Sequence, residues 1–84
     1  MMTRHEQAAH RLMSVWQTLN WSQGMTTSRV RQLSGISGRS TVDALQILQA
    51  QGWAKDISPE TTNHRSWVRT KSGFDRQAAM ELTV

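Results

Sequence analysis

The sequence predicts a mainly α-helical chain with a small two-stranded antiparallel β-sheet, in the order helix, helix, helix, strand, strand, helix. Three observations lead to that class. Apolar residues recur at helical spacing from about Thr3 to Asn20, and two glycines punctuate a serine-rich turn between two further helical segments. Trp53 to Ile57 and Arg65 to Thr70 read as strands separated by a polar stretch that contains Pro59. A chain of 84 residues removes only roughly 60% of its unfolded surface from water, enough for one core, so residues 1–84 are expected to form one domain.

Each element has its own signal. With about 100° per residue, His5, Ala8, Ala9, Leu12, Val15, Trp16 and Leu19 fall within an arc of about 120°, which predicts an amphipathic helix over 3–20. Trp21 and Ser22-Gln23-Gly24 close it, with the glycine expected to supply a left-handed terminus. A second helix, 27–34, starts after Thr26 or Thr27 as cap and places Val30 and Leu33 on one face. Ser34-Gly35-Ile36-Ser37-Gly38 is the turn, and Ser37 or Ser40 caps a third helix, 38–51, whose packed side carries Ala44, Leu45 and Leu48. Gly52 ends it, and a β-hairpin occupies 53–70, with Trp53 and Ile57 on one face of the first strand and Trp67 and Arg69 on one face of the second. Ser72 then caps a final helix, 73–82, in which Phe74, Ala78 and Leu82 recur every four residues.

Composition narrows the class of protein. Hydrophobic residues make up 37% and charged residues 19%, the balance of an ordinary globular domain. Without cysteine, neither a disulfide nor a thiolate-held zinc ion is possible, and a reducing cytoplasmic setting is expected. Apolar runs of at most two or three residues predict no membrane span, and the stretch from Met1 to Arg11 is too polar for a signal peptide. The formal charge of +4 is confined. Between Arg29 and Lys71 seven basic residues face Asp43, Asp56 and Glu60, whereas elsewhere Arg4, Arg11 and Arg76 are balanced by Glu6, Asp75 and Glu81. A basic middle segment points to a polyanionic partner; the plainer alternative is a solvated basic face.

The string GISGRSTVDALQILQAQGW, from Gly35 to Trp53, resembles the winged helix-turn-helix of bacterial transcription regulators. There, a short helix ending in leucine meets a glycine-apolar-serine turn, then a serine-threonine-valine helix start, a leucine-rich packed face and a glycine-aromatic exit. SWVRTKSG, Ser66 to Gly73, is similar to the second wing strand and exit of MarR-like domains, so the resemblance covers Val30 to Gly73. In its small size the chain is also similar to compact regulators of fimbrial operons. The resemblance implies a recognition helix over 38–51, a wing over 53–70, a cytoplasmic, nucleoid-associated protein and double-stranded DNA as partner. Gly38 departs from the pattern as an extra residue after Ser37. The third helix begins either at Gly38, with Arg39 in its first turn, or after Arg39, leaving that side chain on a loop.

A helix in the major groove must present hydrogen-bonding side chains to base edges. On the third helix these are Arg39, Ser40, Asp43 and Gln46, with Thr41 nearer the packed side. Arginine matches guanine, glutamine matches adenine, and a carboxylate accepts from cytosine while repelling phosphate. Lys55, Arg65 and Arg69 on the wing, and Arg29 and Arg31 on the second helix, are the candidate phosphate contacts, and Asn63 and His64 the candidate wing tip. The alternative for each is an ordinary solvated side chain. Trp16 and Trp53 are expected in the core; Trp67 either covers the third helix or stands exposed as a platform, and Trp21 joins a dimer contact.

Catalysis is not expected. RHEQAAH spaces His5 and His10 five apart, about 140° around a helix, whereas the zinc-protease motif needs four. There is no glycine-rich phosphate loop and no paired-carboxylate site, so no metal and no cofactor are expected. A homodimer is expected through the amphipathic first helix and the final helix. A second function, in which the domain docks through Trp67, Trp21 and the first helix onto another regulator or a polymerase, stands beside the DNA-binding one.

Overall fold

A computed structural model of the chain describes residues 2–58 and 65–83. Among the described residues four helices and a three-stranded antiparallel sheet share one core: α1 (Arg4–Thr18), β1 (Met25–Thr26), α2 (Thr27–Ser34), α3 (Gly38–Ala50), β2 (Ala54–Asp56), β3 (Ser66–Arg69) and α4 (Arg76–Leu82). No helix among the described residues is long and apolar enough to cross a membrane.

The helix starts are set by hydroxyl and carboxylate caps. Thr3 Oγ1 accepts from the Glu6 amide at 3.1 Å while Glu6 Oε1 accepts from the Thr3 amide at 3.3 Å, a reciprocal capping box. Thr26 caps α2 through the Arg29 amide, and Ser37 caps α3 through the Ser40 amide at 3.2 Å. The cap on Ser37 makes Gly38 the first helical residue and places Arg39 in the first turn of α3, which decides between the two registers the sequence allows. For α4 the cap is Asp75, not Ser72, because Gly73 adopts a left-handed conformation (φ 93°) just before it; the helix therefore starts three residues later than expected.

α1 ends at Thr18, with Leu19 already extended, rather than at Asn20. The left-handed glycines are Gly35, Gly52 and Gly73; Gly24 is not among them, so the expected glycine terminus of α1 does not form. Instead Leu19 leaves the helix extended, the Asn20 carbonyl accepts from the Arg69 amide at 2.8 Å, and the chain bends at Trp21–Gln23 before β1.

The sheet has three strands rather than the expected two. Its order is β1-β3-β2, with Met25 opposite Trp67 and Thr26 opposite Ser66 on one side of β3, and Ala54 opposite Arg69 on the other. A two-residue strand whose second member also caps the next helix leaves no period-two pattern to read. As the middle strand, β3 is covered on both faces: Trp67 and Val68, which point to opposite sides, are both buried. Ile57, expected on the same strand face as Trp53, is exposed, as is Leu33, expected on the same helix face as Val30.

α1 is the central element, packing on α2, α3 and α4. Leu12, Val15, Trp16 and Leu19 from α1 and its exit meet Val30, Leu45, Leu48, Trp67 and Phe74 in one cluster. Phe74 precedes α4 and wedges between indoles, with ring centroids 5.6 Å from Trp16 and 4.9 Å from Trp53. Ala79 is the fully buried residue of α4, ahead of Ala78 and Leu82, which are half-buried. His5 reaches across from α1 to α4, its Nε2 2.8 Å from the Met80 carbonyl oxygen.

Candidate functional site

The sequence directs attention to α3, and the fold divides its candidate residues into three groups. Thr41 is fully buried and its hydroxyl donates to the Ser37 carbonyl at 2.9 Å, so it is closed to any macromolecular partner. Arg39 and Gln46 are exposed, and with Val42 they form one strip at spacings of three and four residues along the outer face. Ser40 and Asp43 sit at the border of that face, where they line a groove against Ala8 and Arg11 of α1. Val42, 40% exposed between Arg39 and Gln46, is the member of the strip that sequence patterning misses, because an apolar residue on an amphipathic helix reads as core.

One cation of α2, Arg31, flanks the start of α3. Arg29 and Arg31 of α2 are both exposed, and an ideal Cβ on Gly38 would lie 3.4 Å from Cδ of Arg31, so Arg31 rests against the first turn of α3 beside Arg39. The two α2 arginines are two residues apart and diverge around the helix. Arg29 therefore faces a different groove, with Leu33, Met25 and Asn20.

On the hairpin, Lys55 is exposed. Arg65 forms an ion pair with Asp56 at 3.6 Å and keeps most of its side chain in solvent. Behind that pair, Asp56 Oδ1 accepts from the Ser58 amide at 2.8 Å and from the Ser58 hydroxyl at 2.5 Å, and Ser58 Oγ in turn accepts from the Ser66 amide at 2.7 Å. This relay closes the neck of the hairpin and holds the Asp56 carboxyl below its ordinary pKa, chiefly through the Ser58 hydroxyl and amide and then through Arg65. Asn63 and His64 lie outside the described residues.

Arg69 occupies a different environment from the other wing cations. Its Nε donates to the Trp16 carbonyl at 3.0 Å, which also accepts from the Leu19 amide, and its Nη2 donates to the Gln17 carbonyl at 2.5 Å, both in the last turn of α1. The guanidinium also lies 4.4 Å from the ring centroid of Trp16 and 5.6 Å from that of Trp21. α1 has no basic residue in its own last turn, so Arg69 supplies from β3 the positive charge that a helix C-terminus favours. Charge counting along the sequence cannot see this, because the partners are more than fifty positions away.

Of the tryptophans, Trp67 is buried and its Nε1 donates to Thr27 Oγ1 at 3.0 Å, tying β3 to the start of α2; the alternative of an exposed platform is thereby overturned. Trp21 is 52% exposed and meets Trp16 edge-on at 6.4 Å. Trp53 is half-buried, with the Lys71 ammonium 4.3 Å from its ring centroid. Comparisons with protein families, with curated proteins and with solved structures returned no match to this chain.

Proposed function

We propose that the chain is a winged helix-turn-helix domain that binds double-stranded DNA sequence-specifically and regulates transcription, with α3 in the major groove and the hairpin on the backbone. The observation that carries this reading is the exposed strip Arg39, Val42 and Gln46 on α3, with Asp43 at its border, together with the exposed cations of α2 and the hairpin. Arg39 and Gln46 match guanine and adenine through paired hydrogen bonds, and Val42 matches the thymine methyl group. Arg29, Arg31, Lys55 and Arg65 supply phosphate contacts. The element order and the sheet order β1-β3-β2 support the same reading, since they set the hairpin beside the α2–α3 pair. Two copies bound on a two-fold site, through α1 and α4, complete the proposal as a nucleoid-associated cytoplasmic dimer.

The test is an unbiased selection of bound DNA followed by binding measurements at several salt concentrations. Arg39→Ala and Gln46→Ala are expected each to cost about 1–3 kcal/mol on the preferred sequence and little on others. Lys55→Ala is expected to weaken all sequences alike and to reduce the salt slope by about one. Recovery of no preferred sequence, with no salt-dependent binding, overturns the reading. The protein-docking alternative loses its central residue with the burial of Trp67 and retains the exposed Trp21.

A further inference from the structure

α1 and α3 leave between them a groove of about 220 Å³. Two helical ridges line it, Ala8, Arg11 and Leu12 on α1, at spacings of three and four, and Ser40, Asp43, Ala44 and Ile47 on α3, at three, four and seven, with Thr83, just after α4, as a further lining residue. The floor is apolar, with Leu12 and Ala44 buried and Ile47 partly open to solvent. One wall carries a guanidinium and the other a carboxylate. Neither Arg11 nor Asp43 is in an ion pair among the described residues, where the pairs formed are Arg65 with Asp56 and Arg76 with Glu6.

We propose that this groove binds a small zwitterion, an α-amino acid with an aliphatic side chain. Arg11 receives the carboxylate, Asp43 the ammonium, and the side chain lies on Leu12, Ala44 and Ile47. Charge-assisted bonds to each end give selectivity, because a molecule with only one of the two charges forfeits one of them. A dianion meets Asp43 and a diamine meets Arg11, so both are disfavoured. The volume is below the roughly 300–1,000 Å³ of pockets for drug-sized ligands and suits a molecule the size of a single amino acid.

The experiment is a titration of the isotope-labelled full chain with L-leucine, followed by amide chemical shifts. At about 10 mM leucine a site with a Kd of about 1 mM is roughly nine-tenths filled. Saturable shifts are expected at Arg11, Asp43 and Ile47. Isoamylamine and isocaproate, each lacking one of the two charges, are expected to bind about tenfold more weakly or worse, as is leucine to Arg11→Gln and to Asp43→Asn. Gln49→Ala, on an exposed position outside the groove, is expected to bind leucine normally, and the amide spectra of the variants verify their folding. Absence of saturable shifts, an equal response to the singly charged analogues, or undiminished binding by both folded charge variants overturns the proposal. The titration contains no nucleic acid, so its outcome is independent of whether α3 reads DNA.

Discussion

A single arginine connects three parts of the fold. Arg69 donates to two carbonyls at the end of α1 and lies against Trp16 and Trp21. Hydrogen bonds from a charged donor are worth about 1.5–3 kcal/mol, and this group is half-buried, which screens part of that. Arg69→Met is therefore expected to cost about 2 kcal/mol in urea unfolding, whereas Lys55→Met at an exposed position costs close to nothing. A stability loss of the same small size in both variants would remove Arg69 from the structural role. The Asp56–Ser58–Ser66 relay makes a pH prediction. Because the folded state holds the Asp56 carboxyl below its ordinary value, it contributes stability above an unfolded pKa of about 3.9 and loses it as the pH falls toward the folded value. Ser58→Ala removes the main cause of that depression. The stability difference between native chain and variant is expected to be largest at neutral pH and to shrink as the pH falls below about 4, measured by urea midpoints across that range.

At the scale of elements, helices were more legible than strands. Ser37 and Thr26 announce their helices because a hydroxyl before an apolar-periodic stretch satisfies free amides in the first turn. β1 was hidden, since Met25 and Thr26 have no pattern of their own and become a strand only against Trp67 and Ser66. Within the candidate site, the outward direction of Arg39 and Gln46 follows from helical spacing alone. The internal commitment of Arg69 depends on a pairing of β3 with the exit of α1 that no local pattern encodes. Two glycines separate local from tertiary demands. Gly38 opens α3 without a positive φ, and a Cβ there meets Arg31 Cδ at ordinary contact distance, 3.4 Å. Gly38→Ala is expected to stabilise the domain by about 0.5–1 kcal/mol through the unfolded chain's lost freedom. At Gly24, a Cβ lies 3.0 Å from both Ser66 Cβ and Ile57 Cδ1. Gly24→Ala is expected to destabilise by about 1–3 kcal/mol by pushing the approach to β1 off the hairpin. Thermal midpoints of the two variants should move in opposite directions.

For the whole molecule, size sets the terms. A domain of 84 residues is expected to have a total stability of about 4–13 kcal/mol, so one poorly filled core position consumes a large share. Phe74 is buried, touches indoles contributed by α1 and by the exit of α3, and stands at the entrance to α4. Phe74→Ala is expected to cost about 3–5 kcal/mol and to lower the thermal midpoint more than any surface variant above, as followed by far-ultraviolet circular dichroism. The packing order was only partly legible from the chain: the apolar stripe of α1 predicts a helix with one packed face, but the wedge formed by Phe74 requires α4 to start three residues later than its four-residue periodicity suggests.

The neck of the hairpin has one more consequence, for engineering. Ile57 and Ser58 both bond to Ser66, so strand register is decided before the chain enters positions 59–64. Positions 59–64 can therefore be replaced, by a peptide tag for example, with the register of β2 against β3 expected to persist as long as Ser58 and Ser66 are kept.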